Sequence, residues 1–168
     1  MISQKLIMTN TSEDIFYTKR NLTFYMDELR SFTGVNIDAK SLSSIKEAEN
    51  IREKSLSLNK LQATKNVIKF DEKNDERFKR FVINLREANS NPIYIWLHGS
   101  NLHGLLKVNS IADIDFSFPF NVNSDGIVVF LTSDFSDRLL LDFYHDSEGQ
   151  EMLEVELKGK HWSSISLY

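Results

Sequence analysis

Arg138-Leu139-Leu140-Leu141-Asp142-Phe143-Tyr144-His145-Asp146, then Ser147-Glu148-Gly149, then Gln150-Glu151-Met152-Leu153-Glu154-Val155-Glu156-Leu157 is the stretch whose reading decides the fold. In a strand every second side chain points the same way. A three-residue loop with Gly149 as its left-handed residue joins the two runs as a hairpin. Phe143 then opposes Leu153, Leu141 opposes Val155 and Leu139 opposes Leu157, so one face is wholly apolar. A two-residue loop would set Phe143 against Glu154, and a slip of one residue moves every side chain to the wrong face. The longer loop leaves Leu140, Asp142, Tyr144, Met152, Glu154 and Glu156 on the outer face. Asp142 and Glu154 face each other there, a like-charge pair that costs stability.

Upstream, Ile127 to Thr132 is another apolar strand. Ile93 to Leu97 is a continuous apolar run, the pattern of a strand buried on both faces. Residues 112–120 alternate, with Ile114, Phe116, Phe118 and Phe120 on one side and Asp113, Asp115 and Ser117 on the other, which predicts a further strand. Before Pro92 the period changes to that of a helix. Residues 12–32 carry Ile15, Leu22, Tyr25, Leu29 and Phe32 as one stripe, with Thr11 as cap, Asp14 as its partner and Gly34 as the stop. Residues 41–54 form a weaker helix and residues 74–88 a strong one, with Phe78, Phe81, Val82 and Leu85 inward and Asn74 or Asp75 as cap. Residues 55–70 fit neither pattern. Asn89-Ser90-Asn91-Pro92 marks a change of structure within one domain rather than a linker. The expectation is therefore a single α+β domain over 1–168. Its mainly helical part (1–91) packs on one face of a mostly antiparallel sheet, or meander, formed by the strand-rich part (92–168).

The chain has 168 residues, no cysteine, net charge −4 and mean hydropathy −0.32. The absence of cysteine excludes disulfides, thiolate metal sites and thiol nucleophiles, and fits a reducing cytoplasm. No secretory leader follows Lys5 and no apolar run reaches the length of a membrane span, so neither a membrane nor an export route is expected. The charge is uneven. Residues 1–90 carry 16 Lys and Arg against 13 Asp and Glu, or +3, and residues 91–168 carry 4 against 11, or −7. An acidic half holds no nucleic-acid footprint and steers a basic partner instead.

One constellation bears on chemistry. Leu97-His98-Gly99-Ser100, a spacer containing Gly104, then Asp113-Ile114-Asp115 resembles the signature of the nucleotidyltransferase superfamily. That resemblance implies Gly99 and Ser100 against a triphosphate, and Asp113 and Asp115 on divalent metal. Asp142 would be the third carboxylate. The departures are Asn101 where the family has a basic residue, and Lys107 as the one cation between Gly99 and Asp115. The plain alternative is a turn followed by the polar side of a strand, and an enzyme is not expected. His98 and His103 lack metal-ligand company, no nucleophile elbow surrounds Ser100, and His145 opposite Glu151 reads as a surface pair.

Residues 126–162 carry the second resemblance: Gly126-Ile127-Val128-Val129-Phe130-Leu131, Arg138 to Tyr144, Met152 to Leu157 and Gly159-Lys160-His161-Trp162. In style the chain resembles the immunity proteins of bacterial toxin–immunity systems, in particular those of contact-dependent growth inhibition. The resemblance implies tight binding to one cognate toxin, a nuclease with a basic surface, neutralised by covering its active site, with no cofactor. Asp142, Tyr144, Glu154 and Glu156 are the expected partner-binding residues.

Overall fold

The computed structural model describes residues 12–168, with side chains from residue 19. The elements in chain order are α1 (Ser12–Thr33), α2 (Ile45–Ser55), β1 (Thr64–Lys69), α3 (Glu76–Ala88), β2 (Ile93–Trp96), the single turn α4 (Ser100–His103), β3 (Leu106–Val108), β4 (Ile127–Thr132), β5 (Asp137–His145) and β6 (Glu151–Gly159). The six strands form one antiparallel sheet in the order β1-β6-β5-β4-β2-β3. The α+β class is as expected. The Thr11 cap and the proposed leader-free start lie outside the described residues, as do the side chains of Asp14 and Ile15.

The hairpin register is the one read from the sequence: Phe143 pairs Leu153, Leu141 pairs Val155 and Leu139 pairs Leu157. The loop closes through the Asp146 amide donating to the Gln150 carbonyl at 3.0 Å, and Gly149 takes φ +80°. Asp146 Oδ1 accepts from the backbone N–H of both Glu148 and Gln150, which fixes the turn from inside.

The main core lies between one sheet face and helices α1 and α3. Tyr25, Leu29 and Phe32 of α1 and Phe78, Phe81 and Leu85 of α3 meet Ile93, Ile95, Phe130, Leu141, Val155 and Leu157. Each such side chain contributes about 1.5–3 kcal/mol on burial. The helices do not all take this side, as the sequence had suggested. Ala48, Ile51 and Leu58, from α2 and the 3-10 turn after it, pack with Leu105 and Leu131 against Tyr94 and Trp96 on the opposite face. The aromatic side chains of β2 there attract their own cover. Ser44 starts α2, its Oγ accepting from the Glu47 amide at 3.1 Å. α3 starts after Asp75, whose side chain makes no capping bond.

Two segments differ from the sequence reading. Residues 112–120 are not a strand: a 3-10 turn covers Ile111–Asp113 and irregular turns follow. The alternation of burial holds, with Ile114 and Phe118 buried and Asp113, Asp115 and Ser117 exposed, but no ladder forms. The Asp115 amide donates to the Phe32 carbonyl of α1 at 2.8 Å, Asp115 Oδ1 accepts from the Ser117 amide, and Pro119 has no N–H to give. Rings hold the segment instead: Phe118 sits 4.7 Å from Phe32, 5.8 Å from Phe70 and 5.6 Å from Phe143, centre to centre. Conversely, residues 55–70 contain β1, an edge strand with Ile68 as its one buried side chain, too polar to show the strand pattern.

Both sheet edges are interrupted. Leu42 bridges to Leu106 outside β3. At β1 the Tyr168 hydroxyl donates to the Val67 carbonyl, and Thr64 Oγ1 donates to the Ser163 carbonyl. No helix among the described residues is long and apolar enough to cross a membrane.

Candidate functional site

On the face opposite the main core, α2 covers the β2 and β4 end and leaves β5, β6 and β1 without a helix. Leu140, Asp142, Tyr144, Met152, Glu154 and Glu156 share this open face, because each alternates with a buried core residue. Tyr144 is 38% exposed, and Ile127 of β4 and Val67 of β1 stand exposed on either side. Apolar and polar side chains therefore meet on one flat surface.

Its charges are not those of a simple acidic patch. Lys65 from β1 reaches Glu154 at 2.6 Å and Glu156 at 3.3 Å. Glu156 also meets Arg138 at 3.3 Å and Lys158 at 3.9 Å. The like-charge pair of Asp142 and Glu154 is present as expected, and the unforeseen strand supplies its counter-ion. Burial and then Glu154 hold the Asp142 carboxyl above the usual range, with Lys65 opposing. Reversing Glu154 and Glu156 to Lys would therefore set like charges beside Lys65 and Arg138, so that pair is not free of structural cost. Asp142 on this face and Asp146, Glu148 and Glu151 at the hairpin tip have no cation within 4 Å among the described residues, and Glu151 lies on the core side of the sheet. His145 lies opposite Glu151 and packs edge-on against Phe120 at 4.6 Å.

The Gly-Ser segment sits elsewhere. Ser100 is fully buried; its Oγ accepts from the Leu97 amide and meets the Tyr25 hydroxyl, each at 2.9 Å. The Tyr25 hydroxyl donates to the Gly104 carbonyl at 2.6 Å. A Cβ on Gly99 would stand 2.6 Å from the Tyr25 ring. The turn is thus shaped around one tyrosine of α1. Beside it a cavity of about 400 Å³ is lined by Glu28, His98, His103 and Asp125, with His98 Nδ1 3.3 Å from Asp125.

The proposed carboxylates are not brought together. Asp113 and Asp115 are exposed on a segment whose Ile114, Phe116 and Phe118 join the main core, whereas Asp142 points away from that core on the far side of the sheet.

Burial pushes the Tyr25 hydroxyl up to about 12, outweighing the Ser100 bond, and the Glu28 charge adds to it. A tyrosine whose folded pKa is raised keeps its full stabilisation below the unfolded value of about 10 and loses it as pH climbs toward the folded value. Urea midpoints are expected to fall between about pH 9 and about pH 11.5, and the Tyr25→Phe protein, less stable at neutral pH, should show a shallower alkaline fall. An equally steep fall in both would remove Tyr25 as its source.

One cluster was not singled out from the sequence. Asp137 is fully buried where β5 begins. Its Oδ1 accepts from the His161 and Trp162 amides at 2.7 and 2.9 Å. Its Oδ2 takes Asn89 Nδ2 at 2.7 Å and Ser136 Oγ at 2.9 Å, and lies 2.7 Å from His161 Nδ1. Trp162 Nε1 donates to the Leu85 carbonyl of α3 at 2.9 Å. The carboxylate thus joins the ends of β5, β6 and α3. Its residues are far apart in sequence and follow no period, so no spacing announces them.

Comparisons with protein-family models, with curated proteins and with solved structures returned no match to this chain.

Proposed function

We propose that this protein is an immunity protein of the cytoplasm that binds a cognate bacterial toxin, a nuclease with a basic surface, and neutralises it by covering the active site, without a cofactor and without catalysis of its own. The observation that carries the reading is the open face of β5 and β6. It presents Leu140, Tyr144 and Met152 among charges that β1 already organises. Interfaces draw their energy from a few aromatic and apolar anchors within a polar surround, and this face has that composition. Asp142 and the hairpin-tip acid Glu148 supply the unpaired negative charge that a basic partner meets, which speeds association and makes it salt-dependent. The resemblance of residues 126–162 to immunity proteins supports the same reading.

The test is a search of the neighbouring genes for a toxin-domain protein, followed by co-expression of the pair; a neighbourhood without one would count against the reading. Co-expression is expected to rescue growth, and the purified pair to form a stable complex. Tyr144→Ala is expected to weaken that complex about thirtyfold, the effect of a 2 kcal/mol hot spot, while the urea midpoint of the free protein changes little. Growth rescue that survives the combined loss of Leu140, Asp142 and Tyr144, but disappears on reversing Arg77 and Arg80 of α3, would put the interface on the wrong side of the molecule.

A further inference from the structure

Beside the open face, where α2 and the 3-10 turn Leu56–Lys60 meet β2, β4 and β5, lies a cavity of about 330 Å³. Trp96, Leu56, Val129 and Leu131 give it an apolar wall, and Arg52 and Arg138 bring two guanidinium groups to it. No carboxylate is among its lining residues, although the chain as a whole is acidic.

The Arg138 guanidinium is fixed at this wall. Its Nη1 donates at 2.9 Å to Oδ1 of Asn59, itself a lining residue, and its Nη2 donates to Glu156 at 3.3 Å. Two of five N–H groups are thereby used. The buried Nε has no acceptor among the described residues, and a buried donor left unpaired calls for an explanation. Glu156 is shared with Lys65 at 3.3 Å and Lys158 at 3.9 Å, so it neutralises Arg138 only in part. Arg52, exposed on α2, has no ion pair among the described residues. The cavity therefore combines surplus positive charge with an aromatic wall.

We propose that this cavity binds a small monocarboxylate with an aromatic body, its carboxylate held by Arg52 and Arg138 and its ring against Trp96. The planar guanidinium fork matches a carboxylate, and an aromatic body gains from packing on an indole. The volume is at the lower end of ligand pockets, which selects a small molecule. A phosphate dianion would bring a second negative charge toward Glu156 with no third lining cation to offset it. The site stands on the cavity's own residues and is independent of the toxin-binding reading.

The test is titration of the isotope-labelled protein with phenylacetate, read from the indole N–H signals in a two-dimensional NMR spectrum. The chain has two tryptophans, and Trp162 is fully buried with its Nε1 on the Leu85 carbonyl, so the two signals report on different places. The Trp96 signal is expected to move saturably with a Kd of about 1 mM or tighter, as suits a ligand of this size, while the Trp162 signal stays. The neutral 2-phenylethanol, which keeps the ring, and acetate, which keeps the charge, are each expected to bind at least about tenfold more weakly. Arg52→Gln, at an exposed position, should weaken phenylacetate severalfold and leave 2-phenylethanol unchanged. Arg138→Lys keeps the charge beside Glu156 but loses the planar fork, and should also weaken phenylacetate. Equal affinity for phenylacetate and 2-phenylethanol would overturn the proposal, as would a Trp96 signal that does not saturate. So would an Arg52→Gln protein that binds phenylacetate as the parent does.

Discussion

Asp137→Ala is expected to lower the unfolding free energy by about 3–5 kcal/mol, the cost of breaking a buried charge network by removing one partner. The loss is large because the donors stay behind. The Trp162 and His161 amides would lose their acceptor and Asn89 Nδ2 would keep only Ser136 Oγ, and each buried orphan costs about 1–3 kcal/mol. The chain would lose the tie between the ends of β5, β6 and α3 while its apolar core stayed intact. A urea titration should show a lower midpoint with an unchanged slope, since the area exposed on unfolding is the same. The wild type carries the matching acid signature. Burial alone would raise the Asp137 carboxyl, but Asn89, the Trp162 amide and the His161 ring and amide together hold it below the usual range. A depressed carboxyl lends stability above its unfolded pKa and loses it as pH falls through the folded value. The stability that Asp137→Ala removes should therefore shrink in the wild type below about pH 4, and the two proteins should converge. Curves that stay parallel well below that pH would show that the carboxylate's charge is not what the network uses.

Gly104→Ala is expected to cost about 3 kcal/mol or more, through backbone strain and through contact. Gly104 has φ +91° and ψ 179°, a conformation that essentially only glycine adopts. A Cβ there would stand 2.0 Å from the Ser43 carbonyl oxygen, and backbone cannot rotate away as a side-chain tip does. The clash would part the Ser43 amide from the Leu105 carbonyl and the Leu105 amide from Ser43 Oγ, both at 2.9 Å. Gly149→Ala is the control: its φ is +80° but nothing lies within 4 Å, so about 1–2 kcal/mol of left-handed strain is all it meets. Thermal melts should separate the two by several degrees. Equal shifts would mean that the approach of Ser43 is soft.

What the sequence made legible followed from periodicity. Leu139, Leu141 and Phe143 against Leu157, Val155 and Leu153 set the hairpin register because a slip would expose all six. The α3 face was visible in Phe78, Phe81, Val82 and Leu85 for the same reason at helical spacing. Alternation misled at 112–120, where ring packing and not pairing buries Phe118 and half-buries Phe116, and period two reports burial rather than hydrogen bonds. β1 was hidden because an edge strand buries little. Of the candidate site, the side chains on the outer face of the hairpin were legible, whereas their electrostatics were not, since Lys65 comes from that unseen strand. Gly99, Ser100 and Gly104 looked like a phosphate loop, yet each is accounted for by the close approach of Tyr25 or Ser43. Asp137 was invisible because its partners at 89, 136, 161 and 162 are joined by topology alone.

The interrupted sheet edges have a consequence for how recognition can change. β3 is three residues long and bridged by Leu42, while β1 carries Lys65 and Lys69 and holds the Tyr168 hydroxyl on its Val67 carbonyl. Short, charged and occupied edges discourage the addition of a further strand. Another molecule is thereby turned from the generic backbone toward the side chains of the sheet face. Leu140, Asp142, Tyr144 and Met152, which make no ion pair among the described residues, can be exchanged one at a time without moving the core residues between them, whereas Glu154 and Glu156 are tied to Lys65 and Arg138. On the proposed reading, the side chains that choose a partner and those that hold the fold alternate along the same two strands, with Glu154 and Glu156 belonging to both sets.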